Sequence, residues 1–237
     1  MEPYIVYNGR RSDELGIVVE QLPDLHRARR RVEQNTLPGR SGALVVDEGA
    51  FDTYVTQLKI NIFGGSIHHV LNWLRGEGWL ISSDDPTLKA YVYMTEQIED
   101  KRFRVERDNY DTLTIPLLVE PFLRQVSERK LTLTAPGSFP GLGHDPALPL
   151  LGIHGDGDCT VTINGRRVML SGIDYGTNVD CEAGIAYQMR DGGLVWAGNL
   201  ATLPDGWPQL YPEGQTNTVT WSGGVTMLEI VPQWRFL

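Results

Sequence analysis

Apolar and polar residues alternate along much of the chain. In YVTQLKINIFG (residues 54–64), Leu58, Ile60 and Ile62 alternate with Lys59 and Asn61, the pattern of a strand with one buried face. Val55 precedes that run out of phase, and the period is two from Leu58 onward. LKAYVYMTEQIEDKRFRVERDNYDTLTIPLLVEPF (88–122) predicts a long hairpin and then a third strand, with turns near Glu99-Asp100 and Asp108-Asn109. Asn8-Gly9 lies between short apolar runs, and Asn164-Gly165, Asp191-Gly192-Gly193 and Gly223-Gly224 are placed likewise. These dipeptides supply the positive φ angles that tight hairpin turns require. One stretch breaks the pattern: Ile67, Val70, Leu71 and Leu74 fall at i, i+3, i+4 and i+7, one apolar helix face. Ser66 is its N-cap and Gly76 its terminating glycine, and the helix is expected to lie across a sheet.

The fold class is therefore mainly β, with an N-terminal β domain carrying one packed α-helix. Repeated short strands with glycine turns in the second half predict a β-sandwich or jelly roll. NGRR occurs at 8–11 and 164–167. Nothing around the two copies matches, so they share turn chemistry and are not a repeat. A proline- and glycine-rich stretch at 132–152 breaks helices and central strands. It places the domain boundary near Ala135, giving domains 1–135 and 136–237. Basic residues are concentrated before it: 17 of the 21 fall within residues 1–130.

The length of 237 residues and the formal charge of −9 fit one large or two small globular domains and argue against a protein that grips nucleic acid. No stretch reaches the ~20 apolar residues of a membrane span, and the first residues carry no signal-peptide pattern. Cys159 and Cys181 form no CxxC or CxxH pattern, so they read as buried thiols in a reducing compartment, not as a metal site or disulfide.

LPGRSG (37–42) lacks the lysine and following helix of a phosphate loop. Pro38, Gly39, Arg40 and Gly42 instead read as a turn that launches strands. Asp156 and Asp158 sit in HGDGDC without the later ligands of a calcium loop and read as a solvated acidic turn. His68 and His69 are helix neighbours pointing about 100° apart; His144 and His154 read as loop residues with no metal-ligating partners at the right spacing. No catalytic constellation appears, so the chain reads as a non-enzyme with no cofactor and no metal. RARRR, Arg27 to Arg31, is the one basic cluster. It could be a helix stripe or an extended edge, and a nucleic-acid patch, a solvated face or an intersubunit surface.

In this order, these pieces resemble the distal tail protein (Dit) family of long-tailed bacteriophages over nearly the whole chain. YNGRRSDELGIVVEQLP is similar to its opening strand and turn, LPGRSG to its Pro-Gly-Arg turn, and VLNWLRGEGWLISSDDP to its helix and Ser-Asp-Asp segment. LLVEPF resembles the strand closing the first domain. IHGDGDCTVTING, YPEGQTNTV and IVPQWRFL resemble parts of its C-terminal sandwich. The arginine run is not part of the pattern. The resemblance implies a structural protein of the virion at the distal end of the tail, made in the host cytoplasm. It implies a homohexameric ring, single or stacked, with a galectin-like sandwich on its periphery. The ring would join the tail tube protein to a tail-tip hub protein and carry receptor-binding proteins, and DNA would pass its channel without specific binding. Arg27, Arg29, Arg30 and Arg31 would then face a neighbouring subunit. The alternative is a carbohydrate-binding sandwich for host recognition, with Trp196, Trp207, Trp221 and Trp234 as aromatic faces. A sandwich-fold glycosidase, the third class, would need two carboxylates about 5–9 Å apart in a cleft.

Overall fold

The computed structural model describes residues 2–39, 41–63, 66–94, 97–104, 109–174 and 176–237, without the side chains of residues 100, 102–104 and 109. The chain divides into two compact units, Met1–Val126 and Ser127–Phe236. The stretch 132–152 lies within the second.

In the first unit the strands are β1 (Ile5–Tyr7), β2 (Arg10–Arg11), β3 (Ile17–Gln21), β4 (Arg30–Thr36), β5 (Ala43–Phe51) and β6 (Tyr54–Phe63). Helix α1 (Ile67–Trp73) follows, then β7 (Gly76–Ser82), β8 (Asp85–Met94), β9 (Glu99–Arg104), β10 (Asn109–Val119) and β11 (Arg124–Gln125). One antiparallel sheet runs β2-β1-β7-β8-β10-β6-β3, with β9 on β10 and β11 on β8; β4 and β5 form a separate two-stranded ribbon. The alternation in β6 buries Leu58, Ile60 and Ile62 against Leu113, Ile115 and Leu117 of β10, while the out-of-phase Val55 is 61% exposed. Glu99 opens β9 instead of making a turn, and β9 pairs β10 and not β8. The expected β8–β9 hairpin is therefore absent: with β7 already paired along it, β8 is a central strand. The turn expected at Asp108 lies outside the described residues.

Helix α1 lies against this core. Val70 and Leu74 are buried, whereas Ile67 and Leu71 are half-buried. Trp73 pins the helix to β1: its Nε1–H donates to the Tyr7 carbonyl at 3.2 Å, and the two rings meet edge to face. Ser66 occupies the N-cap position with extended backbone but makes no side-chain cap bond.

The second unit contains β12 (Leu131–Leu133), β13 (Gly137–Pro140), β14 (Leu150–Ile163), β15 (Arg166–Ile173) and β16 (Thr177–Asp180). It continues with β17 (Ile185–Arg190), β18 (Gly193–Trp196), β19 (Ala201–Thr202) and β20 (Thr216–Val231). The order is β12-β20-β14-β16-β17-β18, with β13 on β20 and β15 joining β14 to β19. Sheets that curl in this way enclose a core of their own: Leu151, Ile153, Val161, Ile163, Val179, Leu228 and Ile230. Three of the four expected glycine turns form hairpins. Asn8-Gly9, Asn164-Gly165 and Asp191-Gly192 all take positive φ at both positions, as two-residue primed turns do.

The fourth does not. Gly223 and Gly224 lie inside β20, opposite a register shift in β14 between Gly155 and Cys159. A Cβ on Gly223 would sit 2.1 Å from the Asp158 carbonyl oxygen, and one on Gly224 1.9 Å from that of Asp156. Close approach of two backbones, not chain reversal, is what these glycines permit. The Asp156–Asp158 stretch is correspondingly a bulge within β14 rather than a loop turn.

Candidate functional site

The sequence-predicted site residues fall on the β4–β5 ribbon and its root. Arg27 and Arg29 are exposed in the segment leading into β4, and Arg30 and Arg31 open the strand. The run is thus not helical: Arg30 and Arg31 are extended in β4, and Arg27 to Arg29 belong to no regular element. Ala28, between them, is buried, and the Asp52 N–H donates to the Arg29 carbonyl at 2.9 Å. Phe51 closes the root, with its ring edge to face on Phe122 at 5.3 Å and the Arg30 guanidinium above it at 5.4 Å.

Beyond that root the ribbon is exposed along its length. Glu33 pairs Val46, Gln34 pairs Val45 and Asn35 pairs Leu44. Opposed residues share a face and successive residues alternate, so Leu44 and Val46 lie on one side and Val45 on the other. Val45 is 55% exposed, and Leu37, Leu44 and Val46 are each more than 40% exposed. Pro38 and Gly39 form the tip turn, with Gly39 and Gly42 at positive φ; Arg40 lies outside the described residues.

The arginines do not act alike. Arg30 Nε is 2.7 Å from Asp47, and Arg31 reaches Asp52 at 2.9 Å and Glu48 at 3.8 Å. The Arg30 guanidinium holds the Asp47 carboxyl below the usual carboxylate range, helped by the Gly49 N–H. These pairs are solvated and contribute little to stability; they lie beside the register shift between Arg30 and Val32 and the left-handed Gly49. Two of the four arginines are therefore engaged within the chain. The sequence held a signal for this in DEG (47–49), the usual turn chemistry of a bulge, but no signal for which arginine it would meet.

Elsewhere, among the described residues, no group of three or more His, Cys, Asp or Glu is close enough to hold a metal ion, and no helix is long and apolar enough to cross a membrane. Cys159 and Cys181 are buried and unpaired with each other; burial pushes the Cys181 thiol up to about 12. His154 lies in β14, not in a loop, with Nε2 3.5 Å from Glu229.

No family model matches the sequence, and no curated protein matches it. Solved structures do. The Dit protein (gp 19.1) of phage SPP1, described as a paradigm of the hub adsorption apparatus in phages infecting Gram-positive bacteria, aligns at a TM-score of 0.75 with 15% identity, covering 100% of both chains. The chain has the fold of SPP1 Dit. Two chains from the baseplate of phage P2 in its activated conformation also align. The one with Ca has a TM-score of 0.52, 7% identity and full coverage of both chains; the one with Sr has 0.53, 8% and 97% of both. The Dit fold spans both units here, including the helix-bearing first unit and the sandwich of the second.

Proposed function

We propose that this chain is a structural hub of a phage tail tip. Six copies close a ring through the first unit, and the second unit, a galectin-like sandwich, stands on the periphery. The ring joins the tail tube protein to the tip and host-adsorption apparatus, and DNA passes through its channel. The observation that carries this reading is the match to SPP1 Dit at a TM-score of 0.75, which covers 100% of both chains.

The ribbon supports it independently. A two-stranded ribbon is marginal alone in water, and this one carries Leu44, Val45 and Val46 in the open. A closed ring would cover them with the neighbouring copy and satisfy sheet edges at the same time. Arg27 and Arg29, which stand beside the ribbon root, would meet a neighbour's carboxylates. An acidic chain also suits a conduit, because like charge keeps DNA from adhering to the wall. The chemistry is assembly rather than catalysis.

Negative-stain imaging of the purified chain, together with light scattering across a dilution series, tests the proposal. Six-fold rings are expected. A monomer that persists at the highest soluble concentration, alone and with its tail tube protein, would overturn the reading.

A further inference from the structure

The second unit carries a row of residues for which the hub reading has no use. Glu229 lies opposite Gly152, Gly152 opposite Asn178, Asn178 opposite Tyr187, and Tyr187 opposite Trp196. The row crosses five adjacent strands, β20-β14-β16-β17-β18. Opposed residues share a face, and the alternate residues Ile153, Val179 and Ala186 are buried in the core. The row therefore faces outward. His154 and Met189, two residues along their strands, share that face.

An open groove of about 370 Å³ lies there, lined in part by Gly152, His154, Gly176, Asn178, Met189 and Glu229. This is within the range of small-ligand sites. Two glycines shape it. A Cβ on Gly152 would come within 3.5 Å of both Glu229 and the Asn178 side-chain oxygen, and one on Gly176 within 3.2 Å of His154 Nδ1. Their absent side chains keep the floor at backbone level between three polar groups. Glu229 is oriented by Lys130 and by His154, and the Lys130 ammonium holds its carboxyl below the usual range, so it stays an acceptor. Among the described residues no side-chain hydrogen bond occupies the Asn178 carboxamide, which offers both a donor and an acceptor.

At the end of the row stands Trp196. The other three tryptophans of the second unit pack on its core: Trp234 is buried, and Trp207 and Trp221 are half-buried against it. Trp196 is 60% exposed. Its indole lies over Gly198, where a Cβ would come 2.4 Å from the ring. The indole occupies space that only glycine leaves. Two strand spacings, about 9.5 Å, separate the backbones of Asn178 and Trp196.

We propose that this face binds a neutral hexopyranose glycan, with one ring in the groove and the next over Trp196. A pyranose presents an apolar C–H face and a rim of hydroxyls. The face offers an aromatic platform with one amphipathic side open and a carboxylate, a carboxamide and an imidazole for the hydroxyls. The fixed carboxylate disfavours phosphate or carboxylate ligands by like charge, and a wholly apolar ligand would leave three polar groups desolvated without partners. The inference stands on the second unit alone and does not rest on ring formation.

The test is binding of the full chain to an array of neutral hexose, N-acetylhexosamine and deoxyhexose oligosaccharides beside sialylated and phosphorylated ones. Binding to neutral glycans is expected. Trp196→Ala and Asn178→Ser should each weaken it at least tenfold, with melting temperature unchanged because both side chains lie on the open face. Gly198→Val, which leaves the groove intact but displaces the indole, should weaken it as well. An Arg27→Glu/Arg29→Glu variant, aimed at assembly, should keep the affinity per subunit. Absence of neutral-glycan binding, equal binding by the Trp196 and Asn178 variants, or binding confined to acidic glycans would each overturn the proposal.

Discussion

The β4–β5 ribbon and the β14–β20 ladder are both long antiparallel pairs, yet they are stabilised differently. β14 and β20 run for 14 and 16 residues and bury alternate side chains on one core. β4 and β5 run for seven and nine and bury little beyond Phe51 at the root. Backbone hydrogen bonds are present in both, and their net contribution is modest because water competes for the same groups. What separates the two is apolar area removed from water. The ladder completes its burial within the chain. The ribbon leaves Leu44, Val45 and Val46 for something else to cover.

The largest expected effect tests the ladder. Gly224→Val would drive a side chain into the Asp156 carbonyl, in backbone that cannot retreat without opening the bulge. It should destabilise the second unit by about 3–5 kcal/mol, at the upper end for single substitutions, in denaturant unfolding. Gly49→Ala in the ribbon has open space around it but a left-handed φ, and should cost only about 1–2 kcal/mol. Equal costs would show that the two glycines do the same job.

Core truncation comes next. Ile153→Ala in the ladder and Leu74→Ala beneath the first sheet remove fully buried side chains and should each cost about 2–5 kcal/mol. Leu71→Ala, on the half-buried flank of the same helix, should cost less than Leu74→Ala. Val45→Thr in the ribbon should change subunit stability by no more than about 0.5 kcal/mol while reducing the assembled fraction by light scattering. If Val45→Thr lowers the melting temperature of the dilute subunit as Ile153→Ala does, the ribbon is packed within its own chain and the contrast fails.

Charge reversal sharpens the comparison within the ribbon itself. Arg27→Glu/Arg29→Glu should weaken assembly and leave subunit melting unchanged. Arg30→Glu/Arg31→Glu also places carboxylates beside Asp47, Glu48 and Asp52, so it should loosen the ribbon root in addition. Normal rings from the first variant would remove Arg27 and Arg29 from the interface.

The smallest effect is on pH. Glu229 in the ladder and Asp47 in the ribbon are held below their ordinary values of 4.5 and 3.8, by Lys130 and Arg30 respectively. A carboxyl lowered in the folded state contributes stability that is complete above its unfolded value and is lost as pH falls through the folded one. The melting temperature should therefore begin to fall below about pH 4.5, and Glu229→Gln should flatten the first part of that fall. An unchanged profile in Glu229→Gln would show that its pairing with Lys130 does not persist in solution.

Much of this architecture was legible locally. Asn8-Gly9, Asn164-Gly165 and Asp191-Gly192 announced hairpins because two consecutive residues at positive φ suit little else. Leu58, Ile60 and Ile62 announced a one-sided strand, and Val70 and Leu74 a helix face, because period alone decides which side chains share a side. Gly223-Gly224 had the same local signature as the true turns and was not one. The cue that distinguishes them is the Asp156–Asp158 backbone, some 65 residues earlier in the chain.

The sequence by itself determined the β class, the helix and the short-range turns, since each depends on neighbours a few residues apart. Tertiary structure alone decided that Arg30 and Arg31 would be engaged by Asp47 and Asp52 while Arg27 and Arg29 project. It alone set Glu229, Asn178 and Trp196 in one row, and left one of the second unit's four tryptophans exposed. These depend on strand order and register, which are fixed by how whole sheets bury their apolar faces. That balance is summed over the unit and written at no single position.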